Sequence, residues 1–219
     1  MEEDTKTFDI LKFEAILFDF DGVLAESMNV KTEAFAKLFE SFGEEIVNKV
    51  VAHHIENGGI SRYDKIEYYY SEYLNQQISK KEVDTIADEF SRLVVERVIK
   101  STWVKGARDF LEKNYKKMDF YVVSGTPQKE LELIIEKRKM QKYFKAVYGT
   151  PATKPEISRR IIQEKGYNKE EVLFVGDSLS DYRAAKEVNI PFLGIVSENN
   201  ISPFPKETVF VENFIEVDF

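Results

Sequence analysis

The chain of 219 residues contains no cysteine, and this absence removes several kinds of chemistry at the outset. A protein without thiols forms no disulfide, has no thiolate nucleophile and offers no sulfur ligand to a metal ion. The absence of cysteine is also consistent with a reducing compartment, where disulfides do not persist. We therefore expect a cytoplasmic protein.

Long apolar runs are also absent, as is an excess of positive charge. No run approaches the roughly 20 residues that a transmembrane helix requires, and the acidic segment Met1–Glu14 lacks the apolar stretch of a signal peptide. The formal net charge of -8 at pH 7 predicts no general binding to nucleic acid or to an anionic membrane. A small phosphorylated substrate remains compatible with this charge, because a single pocket can be locally cationic.

Hydrophobic residues make up 43% of the chain, which is enough for a sizeable core. Short apolar runs predict strands, and segments with helical periodicity separate most of them. This alternation indicates an α/β fold with a parallel sheet covered by helices. The predicted strands are Ala15–Phe18, Phe120–Val123, Ala146–Tyr148, Val172–Val175, Phe192–Val196 and Val209–Val211. The predicted helices between them are Val104–Tyr115, Gln128–Met140, Glu156–Lys165 and Asp181–Val188.

The region between the first two predicted strands breaks this alternation and shows helical patterns only. We predict an α/β core formed by residues 1–26 and 101–219, of which residues 1–12 are an N-terminal extension. Residues 27–100 are predicted to form an inserted all-helical domain. Its predicted helices are Asn29–Phe42, Glu44–Ile55, Tyr63–Leu74 and Lys80–Ile99.

Two acidic residues, Asp19 and Asp21, directly follow the first predicted strand and precede Gly22. Because strand side chains alternate between faces, residues two positions apart point to the same side. Burying two like charges together is costly unless a cation or a proton offsets them. The pair therefore predicts a metal site and acid–base chemistry at this point of the chain.

Other polar residues also follow predicted strands. The second strand ends at Ser124-Gly125-Thr126, Lys154 stands after the third, and the fourth ends in Gly176-Asp177-Ser178-Leu179-Ser180-Asp181. The carboxyl ends of parallel strands meet at one edge of a sheet, where ligands bind. Carboxylates, a hydroxyl, an ammonium group and free backbone amides at one edge suit phosphoryl transfer with Mg²⁺.

These four segments, taken in order, resemble the motifs of the haloacid dehalogenase-like (HAD) hydrolases. The resemblance is specifically to the phosphoglycolate phosphatase and β-phosphoglucomutase-like branch. The four segments are Asp19-Phe20-Asp21-Gly22-Val23-Leu24, Val122-Val123-Ser124-Gly125-Thr126, Lys154-Pro155 and Val175-Gly176-Asp177-Ser178-Leu179-Ser180-Asp181. The resemblance implies a Rossmann-like HAD core with a helical C1 cap inserted after the first motif.

The resemblance also implies a role for each of the two first-motif acids. Asp19 is expected to be the nucleophile that becomes phosphorylated, and also a ligand of Mg²⁺. Asp21 is expected to be the general acid and base, with its backbone carbonyl on the metal ion. Haloacid dehalogenases lack an acid at the position of Asp21, and P-type ATPases carry Lys-Thr after the nucleophile. The presence of Asp21 therefore favours a phosphate monoester as the substrate.

The remaining motif residues are expected to hold the phosphoryl group and the metal ion. By the same resemblance, Ser124 and the amide of Gly125 bind the phosphoryl group, and Lys154 neutralises charge between it and the nucleophile. Asp177 is expected to ligate Mg²⁺, and Asp181 to do so directly or through water.

A paired-glycine turn in the helical insertion, Gly58-Gly59, stands where family caps place a substrate-specificity loop. Arg62, just after it, is our candidate for contacting a carboxylate or hydroxyls of the leaving group. His53, His54 and Asn57 are further candidates, with helix-face or capping roles as the alternative. The insertion also contains lysines without a distinctive sequence context, among them Lys31, Lys37, Lys49 and Lys65.

The function predicted from these features is Mg²⁺-dependent hydrolysis of a small phosphorylated metabolite through an aspartyl-phosphate intermediate. The substrate is expected to be a sugar phosphate or a phosphorylated organic acid. One alternative is a sugar phosphomutase of the β-phosphoglucomutase type, which needs an acid–base group in the cap. A second alternative is a non-catalytic binding module on the same fold.

Overall fold

The computed structural model of the protein describes residues 10–197 and 201–217. Most of the predicted N-terminal extension, residues 1–9, lies outside the described residues. Ile10, at 1% exposure, already packs into the hydrophobic core together with Phe13. The last three residues of the predicted extension therefore include part of the core.

Within the described residues, six strands form one sheet in the order β3-β2-β1-β4-β5-β6, and every neighbouring pair is parallel. The strands are β1 (Ala15–Phe18), β2 (Asp119–Pro127), β3 (Ala146–Thr150), β4 (Val172–Gly176), β5 (Phe192–Ile195) and β6 (Phe210–Val211). The helices are α1 (Met28–Leu38), α2 (Glu44–Glu56), α3 (Arg62–Tyr68), α4 (Lys80–Lys100), α5 (Ala107–Asn114), α6 (Gln128–Lys137), α7 (Lys154–Lys165) and α8 (Leu179–Val188). None of these described helices combines the length and apolar character needed to cross a membrane.

The central strand β1 separates two hydrophobic layers, one on each face of the sheet. Ile16 and Phe18 pack into the layer that includes apolar residues of α5 and α6. Ala15 and Leu17 pack into the opposite layer, which includes residues of α7 and α8. This alternation follows from the two-residue period of a strand. The predicted α/β fold with helices on both faces is confirmed.

The predicted helical insertion is also confirmed, because α1 to α4 all lie between β1 and β2. Its interior is strongly aromatic: the ring centroids of Phe35 and Phe90 are 4.5 Å apart, and Tyr69 meets Phe35 edge-on at 5.7 Å. The predicted helix Tyr63–Leu74 is not uniform. After α3 it continues as a π-helical turn, Tyr69–Tyr73, in which the Tyr69 and Tyr73 rings stack.

Local sequence signals explain where the core helices begin. Helix α7 starts at Lys154, two residues before the predicted start, because Thr153 and Glu156 form a reciprocal capping box with the backbone. Pro155 fits at the second helical position, where no backbone amide donor is needed. This capping box at the start of α7 therefore sets the position of Lys154 relative to the sheet.

The register of the sheet brings the predicted motifs together. Phe18, the last residue of β1, pairs with Val122 of β2 and Val175 of β4. Strand order reverses at β1, so a crevice forms at the carboxyl ends of these three strands. Asp19 lies one residue beyond Phe18, at the centre of that crevice.

Candidate active site

Asp19 is held in the crevice by two backbone hydrogen bonds. Its backbone amide donates to the Val175 carbonyl at 2.9 Å, and the Phe20 amide donates to Asp19 Oδ1 at 2.7 Å. The other carboxylate oxygen, Oδ2, lies 3.0 Å from Lys154 Nζ. Burial raises the pKa of Asp19 more than Lys154 lowers it, and Asp181 and Asp21 raise it further, to about 7. The carboxylate is therefore fixed in direction and crowded by negative charge.

Lys154 bridges two of the predicted motif carboxylates. Its Nζ lies 3.0 Å from Asp19 Oδ2 and 2.5 Å from Asp181 Oδ1, and all three side chains are buried. Burial lowers the pKa of Lys154, but the charges of Asp181 and Asp19 outweigh it and raise the pKa above its usual value. This lysine is therefore a permanent positive charge beside Asp19.

Three carboxylates meet at the ends of β1 and β4. One oxygen each from Asp19, Asp177 and Asp181 lies within 4.8 Å of the others. Two glycines allow this approach: a Cβ on Gly22 would lie 2.1 Å from Asp177 Oδ2, and a Cβ on Gly176 would lie 2.3 Å from Asp181 Cβ. Burial, followed by the charges of Asp19 and Asp181, raises the pKa of Asp177 well above its usual value. An all-carboxylate set of this kind fits a hard divalent cation.

Asp181 has a structural role besides its place in this cluster. Its Oδ2 accepts hydrogen bonds from Ser178 N at 3.2 Å and Ser178 Oγ at 2.5 Å, which completes the capping box of α8. Its Oδ1 is bound to Lys154. Both oxygens of Asp181 therefore have protein partners, as do both oxygens of Asp19.

Asp21 points away from the three-carboxylate cluster and is bound by other groups. Its Oδ1 accepts a hydrogen bond from Ser27 Oγ at 2.6 Å, and its Oδ2 accepts from Thr126 Oγ1 at 3.3 Å and pairs with Lys31. Burial raises the pKa of Asp21, but the charge and hydrogen bonds of Lys31 and Ser27 outweigh burial and lower the pKa below its usual value. Lys31 was not singled out by sequence reasoning, because no local motif surrounds it.

The paired-glycine turn of the insertion lies directly on the predicted phosphate-binding residues. Ser180 Oγ donates to the Gly58 carbonyl at 2.6 Å. A Cβ on Gly125 would lie 2.6 Å from the Gly59 carbonyl oxygen, and a Cβ on Gly59 would lie 2.8 Å from Lys154 Nζ. The turn and the crevice can approach this closely only because both positions are glycine.

A small cavity of about 40 Å³, which we call the closed cavity, lies between the crevice and the insertion. The side of the cavity formed by the core is lined by Asp19, Asp21, Ser124 and Gly125. Three cationic side chains line it from the insertion: Lys31, Arg62 and Lys65. A wider groove of about 810 Å³ shares Ser124, Gly125 and Gly59 with the closed cavity and is also lined by Lys154.

Arg62, the predicted selector of the leaving group, is engaged by the protein itself. Its Nη2 donates to Glu130 Oε1 at 2.6 Å, and its Nη1 donates to Glu130 Oε2 at 2.9 Å and to Ser91 Oγ at 2.6 Å. The guanidinium also lies over the Phe90 ring, 4.5 Å from its centroid. Because Glu130 belongs to α6, this buried pair ties the insertion to the core. A substrate-selecting role for Arg62 stays a prediction.

Replacing Arg62 by Lys should weaken this connection, because an ammonium group cannot form the two-pronged bond to Glu130. We expect a loss of about 1.5–3 kcal/mol in the free energy of unfolding, the range for hydrogen bonds to charged groups. Urea denaturation of the variant checks this. Arg97→Lys is the matched control, since its ion pair with Glu33 is exposed and its loss should cost little. An equal free energy of unfolding for the two variants would contradict a stabilising role of the Arg62–Glu130 pair.

The other predicted insertion residues have different surroundings. His54 is buried and lines the closed cavity. His53 instead stacks on Tyr68, with ring centroids 4.4 Å apart, and its Nδ1 lies 3.3 Å from the Tyr69 hydroxyl. Asn57 donates from Nδ2 to the His53 carbonyl at 3.0 Å, at the end of α2. Of these three, only His54 is among the described residues that line the cavity, which favours the capping and packing alternatives for the other two.

Comparison with known proteins agrees with this geometry. The sequence profile of the family described as "Haloacid dehalogenase-like hydrolase" matches residues 16–195. The chain is 24% identical to the phosphorylated carbohydrates phosphatase of Thermotoga maritima, over 85% of this chain and 87% of that protein. It is 23% identical to phosphoglycolate phosphatase 1 of Pseudomonas aeruginosa, over 80% of this chain and 66% of that protein.

Among solved structures, the fold is similar to that of a β-phosphoglucomutase from Clostridium difficile. The TM-score is 0.77 at 20% sequence identity, and the match covers 94% of each chain. At this level of identity the likeness concerns the fold alone.

Proposed function

We propose, from the premise that this chain belongs to the haloacid dehalogenase-like hydrolase family, that it is a Mg²⁺-dependent phosphatase acting on a small phosphorylated metabolite. The observation that carries the proposal is the position of Asp19. Its carboxylate is directed by the backbone, paired with Lys154 and placed on a cavity that Asp21, Ser124 and Gly125 also line. A nucleophile, a proton carrier and a phosphate-binding loop thus face one small space.

The carboxylates present fit the metal ion that the family implies. Asp19 and Asp177 would hold Mg²⁺ through side chains, Asp21 through its backbone carbonyl, and Asp181 directly or through water. When bound, the ion supplies positive charge to the oxygens of the transferring phosphoryl group.

The protein residues would divide the reaction into two displacements. A carboxylate oxygen of Asp19 attacks phosphorus, the ester P–O bond breaks, and an aspartyl-phosphate forms while Asp21 in its acid form gives a proton to the leaving oxygen. Asp21 then takes a proton from a water molecule, which attacks the aspartyl-phosphate and releases inorganic phosphate. Lys154, Ser124 and the Gly125 amide hold the phosphoryl oxygens in both steps.

The insertion would act as a cap, with residues 27–100 as the cap domain and residues 1–26 and 101–219 as the core. The contact of the paired-glycine turn with Gly125 and Ser180 supports this division. A cap in this position excludes water from the reacting groups and has to open for substrate exchange. The absence of cysteine supports a cytoplasmic location for the enzyme.

Removal of divalent metal is expected to abolish phosphate release, because the clustered carboxylates then lack the charge that offsets them. The measurement is phosphate release from p-nitrophenyl phosphate and from a panel of sugar phosphates and phosphorylated acids, with EDTA and after addition of MgCl₂. Activity that persists in EDTA contradicts the metal requirement. Absence of hydrolysis in Mg²⁺ contradicts the phosphatase proposal, and isomerisation of a hexose 1-phosphate without net phosphate release would favour the mutase alternative.

A further inference from the structure

Lys65 differs from Lys31 and Arg62, the other cations at the closed cavity, because no carboxylate of the described residues forms an ion pair with it. Lys31 pairs with Asp21, and Arg62 pairs with Glu130. Lys65 Nζ instead contacts one neutral residue, lying 2.9 Å from His54 Nδ1 and 3.4 Å from the His54 carbonyl oxygen. Its nearest aromatic contact is the Phe35 ring, with the centroid 5.8 Å away. Only 2% of Lys65 is exposed.

His54 has an unused hydrogen-bonding atom beside the same cavity. Its Nδ1 faces Lys65, so an ammonium at Lys65 donates to Nδ1 and leaves the proton of the neutral imidazole on Nε2. His54 Nε2 has no partner among the described residues, although only 4% of the residue is exposed. Burial, followed by the charge of Lys65, lowers the pKa of His54 to about 2, so the ring is neutral.

The unpaired ammonium of Lys65 and the unpartnered Nε2 of His54 both destabilise the protein when no ligand is bound. A buried ammonium without a counter-ion is destabilising, and so is a buried donor without an acceptor. Burial, followed by the charges of Lys31 and Lys154, lowers the pKa of Lys65 to about 7. The lowered pKa has the same origin, because burial and neighbouring positive charge destabilise the ammonium form. A ligand that brings an anion to this point would satisfy the ammonium, and its oxygens would suit the imidazole N–H.

The space beside Lys65 is small. The closed cavity has a volume of about 40 Å³, and about 10–15 Å³ is needed for one water molecule by this measure. A whole phosphate ester exceeds this volume, so the cap has to open to admit it. Because its phosphoryl group has to reach Asp19 and Ser124, the group that lies beside Lys65 should be compact, as a carboxylate is.

We propose that Lys65 and His54 form a carboxylate-binding subsite, and that the substrate is the phosphate ester of a short hydroxy acid. This inference rests on the proposed phosphatase function and names its substrate class. It moves the specificity determinant from Arg62, whose guanidinium is engaged by Glu130, to Lys65, one helical turn along α3. The carboxylate of the leaving group would then lie on the cap side of the cavity while its phosphoryl group faces Asp19.

A matched pair of substrates tests the subsite. Phosphoglycolate carries the carboxylate, and 2-hydroxyethyl phosphate has a neutral hydroxymethyl group in its place. We expect wild-type kcat/KM to be about 10- to 100-fold higher for phosphoglycolate, the range for a charged hydrogen bond. Lys65→Met, which keeps the volume of the buried lysine stem, should remove this preference by lowering kcat/KM for phosphoglycolate about 10- to 100-fold more than kcat/KM for 2-hydroxyethyl phosphate.

Lys49→Met is the matched control, because Lys49 belongs to the same insertion but is exposed and pairs with Glu45. It should keep the wild-type preference. Equal wild-type activity on the two esters overturns the subsite, as does an equal loss on both esters in Lys65→Met.

A binding measurement separates failure of the subsite from failure of the phosphatase proposal. Glycolate, which has no phosphoryl group, should raise the melting temperature of the wild type but not of Lys65→Met. If it stabilises neither protein, the subsite is wrong. If it stabilises only the wild type while no ester is hydrolysed in Mg²⁺, the subsite stands and the phosphatase proposal is wrong.

Discussion

Asparagine in place of Asp19 is expected to lower kcat by about 10⁴- to 10⁶-fold, the order found when an enzyme loses its nucleophile. The amide keeps the shape of the side chain, and its oxygen can still accept the hydrogen bond from the Phe20 amide. It cannot act as a carboxylate nucleophile, however, so no aspartyl-phosphate forms. The measurement is single-turnover and steady-state hydrolysis of p-nitrophenyl phosphate in Mg²⁺.

The fold of this variant should be intact, which makes the loss interpretable. Burial and the charges of Asp181 and Asp21 raise the pKa of Asp19 to about 7, so removing its charge relieves repulsion in the metal-free protein. Thermal denaturation in EDTA should therefore show a melting temperature no lower than that of the wild type. Retention of more than a tenth of the wild-type kcat would exclude Asp19 as the nucleophile.

Asp21→Asn is the matched comparison for the neighbouring acid. A general acid matters most when the leaving oxygen is strongly basic. The variant should therefore lose more activity on an alkyl phosphate than on p-nitrophenyl phosphate, whose leaving group is stable without a proton. A uniform loss on both esters would assign Asp21 a role other than proton transfer.

The second large effect is expected for Lys154→Met. This change removes the positive charge between Asp19 Oδ2 and Asp181 Oδ1, at 3.0 and 2.5 Å, and leaves two buried carboxylates without it. Removing one partner of a buried ion pair typically costs about 3–5 kcal/mol in stability. The variant should also be inactive, since Lys154 no longer offsets the negative charge between the phosphoryl group and the nucleophile.

Urea denaturation in EDTA and in MgCl₂ tests the electrostatic origin of this loss. Mg²⁺ should restore part of the stability, because it supplies positive charge to the same carboxylates. Lys165→Met, at the exposed end of the same helix, should change stability by less than about 0.5 kcal/mol. A Lys154→Met protein as stable as the wild type in EDTA would refute the proposed balance of charges.

The strands and the sheet were predictable because their signals are local. The four apolar residues Ala15–Phe18 favour a strand, because polar residues bound the run and it is too short for a helix. The capping-box residues Thr153 and Glu156 are also visible in the sequence. The prediction from periodicity alone nevertheless placed the start of α7 two residues too late. Helix ends depend on single hydrogen bonds, which a hydrophobic period does not encode.

The crevice residues were predictable for a different reason. Asp19 and Asp177 directly follow β1 and β4, Ser124 lies in the last part of β2, which runs on past the predicted end to Pro127, and Lys154 begins the helix after β3. Parallel topology brings the carboxyl ends of these strands to one edge of the sheet. The cap residues have no such constraint, because the direction of each side chain depends on how four helices pack over the crevice. Lys31 and Lys65 are therefore not recognisable before the fold is known.

The sequence by itself determined the α/β core, the place of the helical insertion and the group of acids at one sheet edge. Each of these follows from periodicity and from spacing along the chain. The tertiary structure alone decided the partners of the cap cations. Arg62 meets Glu130, 68 positions away, whereas the hydrogen-bond partner of Lys65 among the described residues is His54. An arginine with a partner and a lysine without one are indistinguishable in sequence, because the free energy of a buried charge depends on what packing brings beside it.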